Sequence, residues 1–267
     1  TALDSELFGE AQARHLLARA GFGGTPRQVR TLTSWGLERS VDYLLETEEI
    51  EATSVDERAF DSGIMQPLSR EQRQMYRAAQ QRGDEDTLSQ FRLARQQRQR
   101  DDRRQMRELQ RWWLTRMIES PKPLEEKMPL FGHGHFATNY RTIENSYHMF
   151  RQIQRFRKHS LGNFGELMLQ IIRDPAMLAY LDNNDSRKGR PNENLARELM
   201  ELFGLGVGNY TERDIKEGAR ALTGYTFADD SFVFQQRNHD SGHKVILGKE
   251  GNLDGDDFVM AILRQRS

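Results

Sequence analysis

The sequence has 267 residues, of which 36% are hydrophobic and 30% are charged, and its formal net charge at pH 7 is −1. A chain of this length can bury a substantial core, and a charge near zero gives no overall field that would select nucleic acid or an acidic membrane surface. Because cysteine is absent, disulfides, thiolate zinc sites and cysteine nucleophiles are excluded. No run of about 18 apolar residues occurs, so no transmembrane segment is predicted.

Three amphipathic helices are predicted near the N-terminus, over residues 10–20, 26–35 and 37–45. The first repeats apolar residues at helical spacing and stops at Gly21. Thr25 and Pro26 supply an N-cap and a first-turn proline for the second helix.

The segment from residue 69 to residue 110 is rich in arginine and glutamine, with 11 arginines against 7 acidic residues. Its composition predicts long helix with a break at Gly83, projecting into solvent and docking near Trp112. One interpretation is a solvated helical insertion that carries i,i+4 charge pairs. The other is an arm that holds RNA or another anionic polymer. Nucleic acid is disfavoured, because aromatic residues for base stacking are not interleaved with the arginines.

The rest of the chain predicts a mainly α, multi-helix single domain over residues 1–267, with a small β-hairpin or β-patch near residues 225–248. A further helix, from Glu193 to Gly204, should bury one stripe of its surface. That stripe consists of Leu195, Ala196, Leu199, Leu202 and Phe203. The other predicted helices cover residues 123–131, 141–159, 164–173, 175–181, 211–222 and 254–263.

Two histidines lie one residue apart in FGHGHFATN, residues 131–139. His133 and His135 can bind one divalent metal ion together only on extended backbone, since on an α-helix their side chains would diverge by about 200°. Gly132 and Gly134 argue against regular helix, so we expect a glycine-bent corner at which both histidines are metal ligands. Alternatively, one imidazole hydrogen-bonds a neighbouring carbonyl and the other packs against an aromatic ring.

Two further clusters supply candidate catalytic residues: Glu193, Arg197 and Glu198 on one helix, and His239 with Asp240 in a loop. Histidines with carboxylates suit zinc, manganese or iron, and paired carboxylates suit glycoside hydrolysis. The alternatives are a Glu–Arg–Glu ladder on a wet surface and a hydrogen-bonded turn. Convergence of both clusters with the histidine pair in one cleft would favour an enzyme. Scattered positions would favour a non-catalytic binding or scaffold module.

Several stretches together resemble the motifs of a bacterial family, the domain-of-unknown-function-1800 family. They are ARHLLARAGFGGTP (residues 13–26), PLFGHGHFAT (129–138), DPAMLAYLDN (174–183), PNENLARELMELFGLGVGNYTERDIKEGARALTGYTF (191–227) and HDSGHKVILG (239–248). The sequence departs from the family pattern at Gly132 and Gly134, where Trp and Asn are common, and in its longer, more charged segment before Trp112.

The resemblance implies a chain that is the N-terminal part of a longer domain. It also implies export to the periplasm or the cell exterior, although these residues contain no signal peptide. A second exported family, related to alkaline phosphatases and sulfatases, is implied as a partner. The family brings no established reaction. We therefore expect either a cell-envelope hydrolase or metal-dependent enzyme acting on a glycan or other polymer, or a binding or scaffold module.

Overall fold

The computed structural model of the chain describes residues 7–45 and 59–265. These residues are mainly helical, and their α-helices are numbered in chain order. They are α1 (Glu10–Ala20), α2 (Pro26–Trp35), α3 (Leu37–Leu45), α4 (Arg70–Arg82), α5 (Glu85–Glu119), α6 (Pro123–His135), α7 (Tyr140–Ile143), α8 (Ser146–His159), α9 (Phe164–Ile171), α10 (Pro175–Tyr180), α11 (Asn194–Glu198), α12 (Glu212–Ala221) and α13 (Gly255–Leu263).

The described residues also form two small antiparallel hairpins, which confirms the prediction of a mainly α protein with little β-structure. Strands β1 (Tyr225–Ala228) and β2 (Ser231–Phe234) form the first, and β3 (Lys244–Ile246) and β4 (Lys249–Gly251) form the second. Ala228 pairs with Ser231, so the first hairpin closes through a two-residue turn. Asp229 in this turn has φ +52°, a left-handed conformation that aspartate tolerates better than most residues.

The helix predicted over residues 141–159 is instead two helices, α7 and α8. Glu144 between them is left-handed, with φ +49°. The Asn145 side chain accepts hydrogen bonds from the backbone N–H groups of Tyr147 and His148, at 3.0 and 3.1 Å. This N-cap starts α8 afresh and places His148 in its first turn.

The stripe predicted over residues 193–204 is wrong at one position. Residues Leu199–Gly204 form a π-helical turn, closed by the Leu205 N–H bonded to the Met200 carbonyl at 2.9 Å. A π-turn holds more residues than an α-turn, so the phase of the side chains shifts. Leu202 consequently points outward, with 61% of its surface exposed, while Met200 is buried.

The buried hydrophobic side chains of the described residues form three clusters. The largest packs α8–α13 around residues such as Met168, Leu195 and Phe258. The second lies between α5 and α8. The third is small and joins α1 to α2 through four buried residues: Ala13, Leu17, Val29 and Leu32.

A buried carboxylate ties α5, α6 and α8 together. Glu126 on α6 has no exposed surface, and it accepts a hydrogen bond from Arg116 Nε at 2.8 Å and one from Arg157 Nη2 at 2.7 Å. The two guanidinium carbons also lie 5.4 and 5.3 Å from the ring centroid of Trp112. Charge pairing and cation–π contact therefore meet at this junction.

Within the described residues, every helix is too short or too polar to cross a membrane.

Candidate functional site

The histidine pair lies on regular helix. α6 continues to His135, so the expectation of a non-helical corner is wrong. The reason is packing: a Cβ at Gly132 would lie 2.9 Å from Phe156 Cδ1 and 3.0 Å from Ser160 Oγ. Gly132 thus serves the close approach of α6 to α8 rather than a bend.

The two glycines of this motif should respond oppositely to alanine. Gly132→Ala is expected to destabilise the fold by about 1–3 kcal/mol, because the new methyl group overpacks a buried ring. Gly134→Ala should stabilise it by up to about 1 kcal/mol, since nothing lies within 4 Å of its Cβ position and alanine favours helix. Urea unfolding of both variants measures the contrast. A bend at the motif would instead make Gly134→Ala destabilising.

His133 points into the protein. Its ring lies 5.8 Å from that of Trp113 and 6.3 Å from that of Phe156, and its buried Nδ1 has no hydrogen-bond partner among the described residues. Burial lowers the pKa of His133, and hydrogen bonding to the Gln152 side chain partly opposes this. The imidazole is therefore neutral near pH 7 and packs among aromatic rings.

His135 points to a different neighbour. Its Nε2 lies 3.0 Å from the carbonyl oxygen of Phe203, within the π-helical turn, and donates to it. Its ring also stacks on Phe131, with a centroid distance of 6.2 Å. A carbonyl near a helix end lacks an intrahelical partner, and this imidazole supplies one. The two histidines thus adopt the alternative arrangement, one on a carbonyl and one among aromatic rings.

The histidine pair is not arranged to bind one ion. On α6 the two side chains diverge by about 200°, so a shared metal would require the last helical turn to unwind. Across residues 7–45 and 59–265, no group of three or more His, Asp or Glu side chains is arranged to hold a metal ion. Metal binding by His133 and His135 remains a prediction that depends on such a rearrangement.

The glutamate cluster lies on α11, the helix that continues into the π-helical turn contacted by His135. Arg197 bonds Glu212 at 2.9 and 3.0 Å and Glu193 at 3.3 Å. The pKa of Glu198 is raised by burial and by Glu201, with Arg197 opposing. Glu193 lines a polar cavity of about 690 Å³ beside the loop of residues 182–192. The pair of Glu193 with Arg197 that a ladder along the helix requires is present, but the second carboxylate on Arg197 is Glu212 of α12 rather than a glutamate of the same helix.

His239 and Asp240 form a third group. The buried His239 bonds the Thr223 carbonyl through Nδ1 at 2.9 Å, and the Asp240 carboxylate accepts from Arg220 Nε at 2.8 Å. The hydrogen bond from Arg220 lowers the pKa of Asp240 to about 2. Both side chains therefore fix the loop after β2 onto the end of α12. Among the described residues, no hydrogen bond or ion pair joins the histidine pair, the glutamate cluster and the His239–Asp240 group to one another.

A different site joins parts of the chain whose proximity local patterns do not reveal. A cavity of about 620 Å³ lies between the segment before α4, the start of α8 and the β1–β2 turn. We call it the His148 cleft. Its lining consists of residues 65–69, Arg73, Asn145, His148 and residues 227–230.

One histidine fixes the wall of the His148 cleft. His148 Nε2 lies 3.1 Å from Asp230 Oδ1 and 3.1 Å from the Asp229 carbonyl oxygen. Asp230 Oδ2 also accepts from Gln66 Nε2 at 3.2 Å, and Phe227 meets the imidazole edge-on at 5.2 Å. His148 is only 5% exposed, and the Asp230 side chain is 18% exposed. The pair is therefore rigid, with its carboxylate toward the cleft.

A second buried carboxylate lies behind this wall. Asp174, the N-cap of α10, is fully buried and accepts from Arg155 Nη1 at 2.9 Å and Gln152 Nε2 at 2.7 Å. Burial raises its pKa, while Arg155 and, more weakly, His148 lower it. His148 therefore lies within electrostatic range of carboxylates on two sides.

Sequence reasoning missed this site because its two central residues are 82 positions apart, at 148 and 230. The available signals were local: Asn145 as an N-cap before an apolar run, and two aspartates between strand-like runs. Neither signal indicates that the two elements touch.

These features define a class: a mainly helical protein with small hairpins and a polar cleft closed by a histidine–aspartate pair. A family model described as "Protein of unknown function (DUF1800)" matches residues 15–267, and the chain belongs to that family. Searches of curated proteins and of solved structures find no significant match.

Proposed function

We propose that the protein is a cell-envelope binding module that holds a glycan or a similar polyhydroxylated polymer in the His148 cleft. The observation that carries this proposal is the composition of the cleft wall. The cavity of about 620 Å³ is lined by the carboxylate of Asp230, the guanidinium group of Arg73, the amide of Gln66 and the aromatic ring of Phe227. A largely preformed pocket with a few converging polar groups is the usual form of a small-ligand site.

The polar groups of the cleft match hydroxyl-rich ligands. Asp229 and Asp230 offer oxygen acceptors, and Arg73 offers guanidinium donors. Arg73 is exposed. No carboxylate of the described residues lies within 4.0 Å of its guanidinium group, the limit for an ion pair. Phe227 is half-buried and provides an apolar surface for the C–H face of a sugar. Neighbouring hydroxyl groups on one ring could then engage both kinds of polar partner.

The scattering of the predicted catalytic residues supports binding over catalysis. His133 packs among aromatic rings on α6, Glu198 lies on α11, and His239 bonds the Thr223 carbonyl. Among the described residues no hydrogen bond or ion pair links these three side chains to one another. We propose a periplasmic or extracellular location and a phosphatase- or sulfatase-like exported partner on the strength of the family resemblance alone.

A hydrolase is the second candidate, and one observation favours it. Asp230 lies on the cleft wall with His148 3.1 Å away, and Asp229 adjoins it. Glycoside hydrolysis uses two carboxyl groups, and a histidine beside one of them could exchange its proton. Catalysis would then take place in the His148 cleft rather than at the residues predicted from the sequence.

The test is binding to insoluble polysaccharides: purified peptidoglycan sacculi, chitin and cellulose. We expect saturable binding to at least one of them, weakened about tenfold or more by Arg73→Gln and by Asp230→Asn, since a hydrogen bond to a charged group contributes about 1.5–3 kcal/mol. Asp185→Asn is the matched control, because it neutralises an aspartate in the cavity beside Glu193. The proposed site would be refuted if Asp185→Asn weakened binding while Arg73→Gln and Asp230→Asn left it unchanged.

The same incubations separate the two candidates. Reducing ends released by the wild-type protein and lost in Asp230→Asn would establish the hydrolase. Binding without release supports the module. Absence of binding and of release on all three polymers would contradict both.

A further inference from the structure

Helix α5 has one face that anchors it to the body of the protein. Asp102, Gln105, Leu109 and Trp112 follow each other at helical spacing, and all four are buried. Asp102 accepts hydrogen bonds from the Tyr140 hydroxyl at 2.7 Å and from the Ser146 hydroxyl at 2.6 Å. This stretch of α5 is therefore held at both its polar and its apolar positions.

The opposite face of the same stretch carries four arginines. Arg100, Arg104, Arg107 and Arg111 are exposed, and their spacing of 4, 3 and 4 residues places them within about 60° of each other around the helix axis. Eleven residues of helix span about 16 Å. The four guanidinium groups thus form a straight row, here called the arginine row, on a support that packing already fixes.

The arginine row is largely free of internal partners. Arg104 pairs with Asp101 at 3.3 Å, and this exposed pair contributes little and exchanges readily. Arg100 donates to the Gln97 side chain at 2.8 Å. In the described part of the chain, no carboxylate lies within 4.0 Å of Arg100, Arg107 or Arg111. Like charges at i,i+3 and i,i+4 spacing repel each other weakly, and a bound polyanion would replace this repulsion by attraction.

We propose that the arginine row binds a linear anionic polysaccharide, whose sulfate, phosphate or carboxylate groups pair with successive guanidinium forks. Arginine binds such groups through two parallel hydrogen bonds, and a row that folding has already ordered loses less entropy on binding. This surface is distinct from the His148 cleft, which contains none of the four residues.

Charge complementarity favours a polyanion as the ligand. The arginine row offers no aromatic rings for stacking, which favours a polyanion that lacks nucleic-acid bases. Binding of single-stranded nucleic acid relies on aromatic rings on which bases stack. Tyr76 and Phe91 of the α4–α5 hairpin pack on each other, with centroids 5.4 Å apart, and Trp112 is buried. The arginine row has no such ring between its members.

The test compares two quadruple variants of the full chain that carry equal net charge. In the first, Arg100, Arg104, Arg107 and Arg111 are changed to Gln. In the control, four exposed arginines elsewhere are changed to Gln: Arg27, Arg30, Arg213 and Arg237. Affinity for dextran sulfate, neutral dextran and a single-stranded oligonucleotide is measured by titration between 50 and 200 mM salt.

We expect the wild type and the control to bind dextran sulfate and to lose about 50–150-fold in affinity over that salt range, as release of about four counterions predicts. The row variant should bind at least about tenfold more weakly at 50 mM salt, with a shallower salt dependence. Equal losses of affinity for dextran sulfate in the row variant and the control would overturn the proposal. Tighter binding of the oligonucleotide than of dextran sulfate would also overturn it. Should the quadruple variant misfold, Arg107→Gln alone must weaken binding more than Arg213→Gln. The arginine row contains no residue of the His148 cleft, so the dextran sulfate result and the polysaccharide result can fail separately.

Discussion

Replacing Glu126 by alanine is expected to reduce the free energy of unfolding by about 3–5 kcal/mol, because the buried carboxylate that bonds two guanidinium groups is then removed. Arg116 and Arg157 both bond Glu126 and flank the same tryptophan ring. Removing the anion leaves two like charges close together on α5 and α8. Helix α6, which carries Glu126, would lose both of these ion pairs.

The neighbouring Glu125 provides the control. It lies on the same helix, its side chain is 27% exposed, and its ion pair with Lys122 has a distance of 3.8 Å. Glu125→Ala should therefore cost less than about 1 kcal/mol. Urea midpoints followed by tryptophan fluorescence compare the two variants. Similar midpoints for both would show that the buried junction contributes no more than a surface pair.

The second large effect concerns Asp174. Arg155→Met removes the cation that offsets the burial of this carboxylate, and we expect a loss of about 3 kcal/mol at pH 7–8. Burial already holds the pKa of Asp174 above its ordinary value of 3.8, and loss of Arg155 raises it further. A group whose folded pKa is raised favours the folded state below its unfolded pKa, and that contribution is lost as pH rises through the folded pKa.

The variant should therefore be least impaired near pH 4 and most impaired above neutrality. Thermal unfolding of Arg155→Met and wild type at pH 4, 6 and 8 measures this trend. Adding Asp174→Asn removes the buried charge, so the double variant should regain stability at pH 8 and lose the pH dependence. If the destabilisation by Arg155→Met is the same at all three pH values, the buried charge is not its cause.

Local chemistry accounts for the elements that the sequence predicted well. Helices α1, α2 and α3 have the predicted limits, because caps such as the Thr25–Gln28 capping box act within one turn. The strands β1 and β2 follow from alternating residues around Asp229 and Asp230. Such signals lie within a few residues of the feature that they specify.

The errors arise where packing between distant segments decides the outcome. Gly132 has poor helix propensity, but α8 approaches too closely for any side chain at that position. Leu202 faces solvent because the wide turn shifts the helical phase, a change that its hydrophobic pattern does not show. The pairing of His148 with Asp230 likewise depends on the hairpin folding back onto α8, so no local pattern could reveal the cleft.

The division of the core into three clusters affects how the chain opens. Helices α1 and α2 bury their apolar residues mainly against each other. The links from α1–α3 to the helices beyond include the Tyr43 hydroxyl bonded to the Pro121 carbonyl at 3.2 Å, and Gly21 lying against Pro123. Because the buried members of the third cluster all lie on α1 or α2 among the described residues, we expect this N-terminal unit to open locally while the larger clusters stay packed. Loss of structure is then expected in steps, and the amide hydrogens of α1 and α2 should exchange with solvent faster than those of the helix that carries His148.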